Sequence, residues 1–291
     1  MQLLVFIIAF PFLWLISILP FPLFYLFSDC IYVIVYYLIG YRKKTVRQNL
    51  ALTLPYLSEA ERLVIEKKFY RYMCDLFLEM IKTMTMSAKE MRKRFKITNL
   101  ELIQEYEQKG KSIILFASHY ASYEWLLTIN TEFSFRGVAV YKGLANRYFD
   151  RLVRSIRTKY DTEMLETKDT IRTIAQHQSE PDIFLYGLAS DQSPKVSKAL
   201  LWTDFMGIEV PAHTGAEMLA RRYDLPCLFV KVKRVKRGYY EATFETLTDH
   251  PKEMEEFEIT KKYLKKLEEQ IHEQPEFYLW THKRWKHRKK K

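Results

Sequence analysis

The longest apolar stretch of the chain comes first: residues 1–28, MQLLVFIIAFPFLWLISILPFPLFYLFS, carry no charged side chain. A hydrocarbon core about 30 Å thick needs roughly 20 apolar helical residues, so this stretch is long enough to cross one. Pro11, Pro20 and Pro22 argue against a single straight helix, because proline lacks an amide donor and kinks helix interiors. A second run, CIYVIVYYLIGY (Cys30 to Tyr41), is shorter and aromatic. It predicts a buried or interfacial helix rather than a second crossing. Residues 1–41 therefore read as a membrane anchor with an interfacial helix. Residues 42–291 read as one α/β domain with a helical lead-in over 42–108.

Within the lead-in, Ser58-Glu59-Ala60-Glu61 has the form of a capping box opening a helix that runs towards Thr83. Phe69, Met73, Leu76, Phe77, Met80, Ile81 and Met84 recur at helical spacing and give it one apolar stripe. From residue 111 strands alternate with helices. Ser112 to Ala117 is almost wholly apolar, as expected of a strand covered on both faces. Further strands are predicted at Gly137 to Tyr141 and Ile183 to Leu188. Helices are predicted at Ser122 to Asn130, Asn146 to Tyr160, Lys168 to Gln178 and His213 to Tyr223. A hairpin turning at Lys236-Arg237-Gly238 joins Pro226 to Val235 with Tyr239 to Thr248, and Ile259 to Glu273 closes as a charged helix. The pattern predicts an α/β layered fold with a mixed central sheet flanked by helices.

Charge sharpens this picture. With 46 basic and 35 acidic residues the chain carries +11, and 20 Tyr and 19 Phe stand against only 8 Gly. That balance attracts anionic partners such as phosphorylated headgroups, an acidic carrier protein or nucleic acid. The apolar amino terminus favours lipid over nucleic acid. A secretory signal would begin with basic residues and end in a small-residue cleavage site, and neither is present. Arg42, Lys43, Lys44 and Arg47 follow the apolar region, and positive flanks stay cytoplasmic, so the domain is expected on the cytoplasmic face. The three cysteines, Cys30, Cys74 and Cys227, form neither a disulfide framework nor a CxxC metal spacing. No metal or cofactor is expected, and there is no internal repeat, low-complexity linker or Gly-rich phosphate loop.

Three His residues are followed five positions later by an acid: His119/Glu124, His177/Asp182 and His250/Glu255. Seven His in a chain of this acidity produce about one such pair by chance, so position has to choose among them. The second lies in HQSEPD at a helix end and the third in the acidic loop HPKEMEEFE, both read as surface sites. His119 lies at the carboxyl end of an apolar strand where a helix begins, the place where ligands gather in open α/β sheets. A neutral imidazole, with an ordinary pKa of about 6.5, suits removal of a hydroxyl proton during acyl transfer from a thioester. A carboxylate on its other ring nitrogen fixes the tautomer and stabilises the imidazolium. Glu124 is the expected carboxylate, reached across the strand-to-helix turn, since a regular helix would set the two about 140° apart. A buried His bonded to a neighbouring carbonyl is the bland alternative.

Several blocks, in order, resemble the late lipid A biosynthesis acyltransferases, membrane-bound enzymes of Gram-negative bacteria. They are Arg47-Gln48-Asn49-Leu50 with Leu54-Pro55, the His119/Glu124 pair, Tyr141-Lys142 with Arg157, Asp191-Gln192, and Phe205-Met206-Gly207. The last is Pro275-Glu276-Phe277-Tyr278-Leu279-Trp280-Thr281-His282-Lys283-Arg284-Trp285-Lys286. Met206 departs from the family's second Phe. The resemblance covers most of the chain. It implies transfer of a fatty acyl chain from acyl carrier protein to a hydroxyl of a lipid A precursor at the inner membrane. It further implies His119 as general base and Glu124 as its partner.

The supporting residues are open to more than one reading. Arg157 binds an acceptor phosphate, stabilises the thioester oxyanion, or is an exposed helix arginine among Arg151, Arg154 and Lys159. Asp191, after the strand at Ile183 to Leu188, orients Arg157 or the acceptor, or caps a turn. Lys142 and Gln192 complete the substrate-binding candidates. The tail from His282 to Lys291 interleaves Trp with basic charge. It is expected to be ordered through Trp285 and loose beyond, with Trp280 and Trp285 at the headgroup interface. Acyl transfer to another membrane lipid, or a non-catalytic basic scaffold, remain the alternatives from sequence.

Overall fold

The computed structural model describes residues 1–289. The first helices are α1 (Gln2–Ile18), α2 (Phe21–Val33), α3 (Lys43–Thr53), α4 (Glu59–Lys82), α5 (Ala88–Arg94) and α6 (Leu100–Gln108). Later come α7 (Arg147–Arg157), α8 (Thr170–His177), α9 (Gly215–Tyr223) and α10 (Glu258–Glu273). The strands are β1 (Phe95–Ile97), β2 (Ile113–Ala117), β3 (Arg136–Tyr141), β4 (Thr162–Glu166), β5 (Phe184–Ala189), β6 (Leu201–Asp204), β7 (Glu209–Ala212), β8 (Cys227–Lys236) and β9 (Tyr239–Thr248). Seven strands form one sheet in the order β1-β9-β8-β2-β5-β3-β4, and β6 pairs with β7 in a separate antiparallel ribbon. Only the β8–β9 hairpin is antiparallel within the large sheet. The fold is the mixed, helix-flanked sheet that the alternation of strands and helices predicts.

β2 is central, and all five of its side chains are buried. Both faces of such a strand are covered, which explains why its sequence is a continuous apolar run rather than an alternation. The chain leaves β2, forms β3 and β4, and returns to insert β5 between β2 and β3. β5 and β8 both run parallel to β2. The carboxyl ends of β2, β5 and β3 therefore lie along one edge of the sheet, where the strand order reverses.

At the amino terminus the expected division shifts. Leu19, which precedes Pro20, takes an extended conformation (φ −53°, ψ 138°) and ends α1 after 17 residues. Proline disfavours helical geometry in the residue before it, so the break falls there. The helix long and apolar enough to cross a membrane is instead Phe21–Ile39, of 19 residues with mean hydropathy 1.7. It is α2 continued by a π-helical turn, Ile34–Ile39. Cys30 to Ile39 thus belongs to the candidate anchor itself. One side of this helix is tied to α4 along its length, antiparallel, by Tyr25 to Glu79 (2.8 Å), Ser28 to Asp75 (2.7 Å) and Tyr36 to Glu66 (2.9 Å). Its other side exposes Leu23, Leu26, Val33, Tyr37 and Leu38.

Ser58 caps α4 with the full reciprocal box to Glu61. The α4 stripe is buried at Phe69, Met73, Leu76 and Ile81, but Phe77 is exposed. Other expectations are corrected. The turn after His119 forms a 3-10 helix, Trp125–Glu132, in place of an α-helix from Ser122. His177 is not on the surface: it is buried and stacked on Phe184, with ring centroids 4.1 Å apart. Trp280 and Trp285 are fully buried, stacked 5.9 Å apart, with Phe205 stacked on Trp285. They are core residues, not interfacial anchors. Beyond Trp285, Lys289 is ion-paired with Glu209, and the last two lysines of the expected loose tail lie outside the described residues.

Close packing under the sheet edge sets one sharp requirement. A Cβ added to Gly137 on β3 would fall 1.8 Å from the side-chain nitrogen of buried Asn130. That nitrogen donates to Thr162 Oγ1 at 2.6 Å, so it has little freedom to retreat. Gly137→Ala should therefore destabilise the protein by about 1–3 kcal/mol through overpacking. Denaturant unfolding of the detergent-solubilised chain measures this, and an unchanged midpoint would contradict it.

Candidate active site

The parallel register pairs Ala117 on β2 with Ala189 on β5. Two residues further on, the same register carries His119 opposite Asp191. The imidazole Nδ1 lies 2.8 Å from Asp191 Oδ1. Asp191 is 1 % exposed, whereas 23 % of the His119 side chain remains open. A carboxylate accepts only, so Nδ1 carries the proton and Nε2 is left as the acceptor. Gln192 brings its amide nitrogen to 3.2 Å from that Nε2. Tyr123 stands edge-on to the imidazole at 5.0 Å.

The loop holding His119 is fixed from two directions. From the carboxyl-terminal segment, Phe277 O accepts from the Ala121 amide (3.0 Å), the Leu279 amide donates to His119 O (3.2 Å), and Tyr120 bridges to Tyr278. From α4, the Tyr72 hydroxyl donates to Ala121 O, and Trp125 Nε1 donates to Glu79 O and Thr83 Oγ1. Ala121 itself sits at φ +47°, a left-handed geometry that non-glycine residues adopt only when surroundings enforce it.

Glu124 does not bond His119. It pairs with Arg157 at the end of α7 through two hydrogen bonds, Nε to Oε2 at 3.0 Å and Nη2 to Oε1 at 2.6 Å. The difference has a physical reason: the turn places Glu124 over α7, where a forked guanidinium can engage both its oxygens. Glu124 still lies near enough to favour a charged His119. Behind the pair is a cavity of about 10 Å³, with Met80, Thr83, Leu127 and Ile156 in its wall, room for about one water. Lys142 is exposed just past β3 and makes no hydrogen bond or ion pair among the described residues. The register sets it level with Ser190 on the neighbouring strand and so two strands, about 10 Å, from the β2 end along the same sheet edge.

Electrostatics around Asp191 follow from burial. Desolvation disfavours the imidazolium of His119, but the attraction and hydrogen bond of Asp191 outweigh it, so His119 titrates above its ordinary range. Burial alone would raise Asp191, yet His119 and nearby amides hold it below the usual carboxylate range. His282 is pushed down to about 4 by burial, so it is neutral, and its Nε2 accepts from the Ser193 amide at 3.2 Å. Arg284 is fully buried, with Nη1 on Pro211 O at 2.9 Å. Burial lowers its pKa although the Asp191 charge favours the cation.

Residues 2–287 match the bacterial lipid A biosynthesis acyltransferases. The chain belongs to that family. Over 280 residues it is 24 % identical to the lipid A biosynthesis lauroyltransferase of Escherichia coli (strain K12), which covers 95 % of this chain and 89 % of that relative. Within this family member, sequence reasoning selected His119, Glu124, Arg157, Asp191 and Gln192. The structure brings them together with a different pairing: His119 with Asp191, and Glu124 with Arg157. Asp191 as the imidazole's partner was not anticipated. Its signal is the repeated strand ending, Leu115-Phe116-Ala117-Ser118-His119 against Gly187-Leu188-Ala189-Ser190-Asp191, whose offsets coincide once β2 and β5 are neighbours. Tyr72, which carried no assigned role in the sequence, and Tyr278, His282 and Arg284, read there only as part of the carboxyl-terminal signature and basic tail, surround the site.

Asp191→Asn removes the attraction that raises the His119 pKa and leaves its burial unopposed. The acidic limb of the pH–rate profile should therefore move to lower pH, while the plateau rate falls by about 10³–10⁴-fold from loss of the tautomer. A limb that stays in place would separate Asp191 from His119. For the second pair, Glu124→Gln and Arg157→Met should each destabilise the fold. The double variant should lose at least about 1 kcal/mol less than their sum, because each single change strands a half-buried charge. Additive losses in denaturant melts would show that the pair is not coupled.

Proposed function

We propose that the protein transfers a fatty acyl chain from acyl carrier protein to a hydroxyl of a lipid A precursor, with His119 as general base. The observation that carries this reading is the imidazole at the sheet edge. Its Nδ1 proton is engaged by a buried carboxylate, and its side chain stays partly exposed, with Nε2 met only by the Gln192 amide, in a chain of this family. The acceptor hydroxyl displaces the Gln192 amide from Nε2 and gives up its proton there. Its oxygen attacks the thioester carbonyl carbon. When the tetrahedral intermediate collapses, the C–S bond breaks and the imidazolium returns the proton to the departing sulfur. Asp191 holds the ring and stabilises the imidazolium between these steps.

No Ser or Cys nucleophile is needed, since the acceptor oxygen attacks directly. Arg157, held by Glu124 through Nε and Nη2, keeps Nη1 for an anionic oxygen of substrate or transition state. The exposed apolar faces of α1 and α2 support residence at the bacterial inner membrane. The basic residues Arg42, Lys43 and Lys44 at the end of the anchor support a cytoplasmic-face domain. No resident metal or cofactor enters this mechanism; the fatty chain arrives on its carrier.

The deciding experiment is mass spectrometry of lipid A from cells lacking the protein, complemented by wild type or His119→Ala. Deletion should leave lipid A one acyl chain short, wild type should restore it, and His119→Ala should not, despite normal abundance. An unchanged acyl count on deletion would reject the lipid A acceptor. Restoration by His119→Ala would reject the general base.

A further inference from the structure

A larger cavity, of about 410 Å³, opens between α4 and the β8–β9 hairpin, with Tyr72 and Phe277, which both bond the His119 loop, in its wall. Its walls carry five cations, Lys68, Arg71, Arg234, Lys236 and Arg237, against the carboxylates of Asp75 and Glu276, with Asp29 at its rim. Arg237 is spent on Asp29 and Asp75. The others are not. Arg234 uses Nη2 on Asp75 at 2.9 Å, while its Nε is buried without a hydrogen-bond partner. Arg71 commits Nε and Nη2 to Asp29 and leaves Nη1. Lys68 is only loosely placed, 3.9 Å from Glu276, and the Lys236 ammonium stands 4.3 Å over the Tyr239 ring. A cavity of ligand size with surplus positive charge and an orphaned buried donor is built for an anion.

We infer that this cavity is a subsite for a phosphate monoester on a lipid headgroup, and that it holds the phosphorylated acceptor beside His119. Two placements support a lipid source. Asp29, the anchor of Arg71 and Arg237, lies on α2, whose outward face is apolar and exposed. α2 is also bonded along its length to α4, the helix that carries Lys68, Arg71 and Asp75 of the cavity wall, so the cavity is built against the helix whose other face is apolar and exposed. The inner wall is Tyr72 and Phe277, packed edge to face at 5.0 Å, and the same two residues clamp Ala121. A phosphate in the cavity is thus one side-chain layer from the loop that carries the base. A monoester bears nearly two charges near neutrality and three strong acceptor oxygens, which match the unspent donors of Arg234, Arg71 and the two lysines.

The inference rests on the lipid-acceptor reading for the identity of the substrate, and its test separates the two. The full chain is floated with phosphatidylcholine vesicles containing either a phosphomonoester lipid (phosphatidic acid) or none. Three proteins are compared: wild type, Lys68→Ala/Lys236→Ala, and a control of equal charge loss, Lys109→Ala/Arg172→Ala. Arg234→Gln, which leaves Asp75 paired with Arg237, is a further cavity variant if its melting curve is cooperative. The cavity variants should lose the preference for phosphomonoester vesicles by about tenfold and raise KM for a phosphorylated acceptor with kcat unchanged, and the control should do neither. Equal losses in the control would overturn the proposal in favour of diffuse surface charge. A rise in KM for the acyl carrier donor instead of the acceptor would overturn it in favour of carrier docking. Displacement of the vesicles by micromolar inorganic phosphate would overturn the lipid source. If wild type binds the monoester vesicles through the cavity but transfers no acyl chain, the subsite stands and the acyltransfer reading falls.

Discussion

The site depends on one hydrogen bond, between His119 Nδ1 and the buried Asp191 carboxylate, and that bond is a consequence of strand register. Parallel neighbours advance together, so residues at equal offsets past their ends stand side by side. Inserting β5 next to β2 is what turns two separate loops into a pair. The burial of Asp191 is costly in isolation, and the bond to His119 offsets it. Each group shifts the other: the ring, with nearby amides, holds the carboxylate below its usual range, and the carboxylate holds the ring above its own. An ionised acid placed inside the domain thereby holds the imidazole in one tautomer.

That arrangement tolerates little movement, and the carboxyl-terminal segment supplies the restraint. Residues 277–279 bond the His119 loop directly, while the stacked Trp280, Trp285 and Phe205 anchor the segment in the core. Ser193, two residues past Asp191, donates to Arg284 O and His282 Nε2, so the partner loop is tied to the same segment. A neutral His282 is required there, because its ring nitrogen accepts a proton-bearing amide. Basic and aromatic residues that resemble a surface tail are in fact the brace behind both members of the pair. Charge count alone misjudges them, since a buried arginine and a solvated one look identical in sequence.

Local signals were legible and long-range ones were not. The capping box at Ser58, the apolar run of β2, the hairpin turn at Gly238 and the start of α7 after Asn146 are each written within a few residues, and each forms where the pattern puts it. His119 was legible because a strand end is a local feature with a known chemical meaning. Its partner was not, because the choice between Glu124 and Asp191 depends on which strands are neighbours. Separation along the chain favoured Glu124; the sheet order favours Asp191. The same limit explains the tryptophans and His177, whose burial depends on what the tertiary fold lays over them.

α4 shows how the apolar amino-terminal helices and the candidate site share one support. Its apolar stripe enters the core, and a second face buries Glu66, Asp75, Glu79 and Lys82. Each of these meets an amino-terminal partner: Tyr36, Ser28, Tyr25, and the carbonyls of Ser17 and Leu19. Apolar helices have no directional preference of their own, since hydrophobic contact alone leaves rotation and depth free. Hydrogen bonds at these points fix which side of α1 and α2 meets the domain and which is left exposed. Tyr72, from the same helix, bonds the loop of His119, and Glu79 and Thr83 bond Trp125 beyond it. The height of the His119 imidazole above the exposed apolar surface is therefore set within a single rigid element, not through a linker.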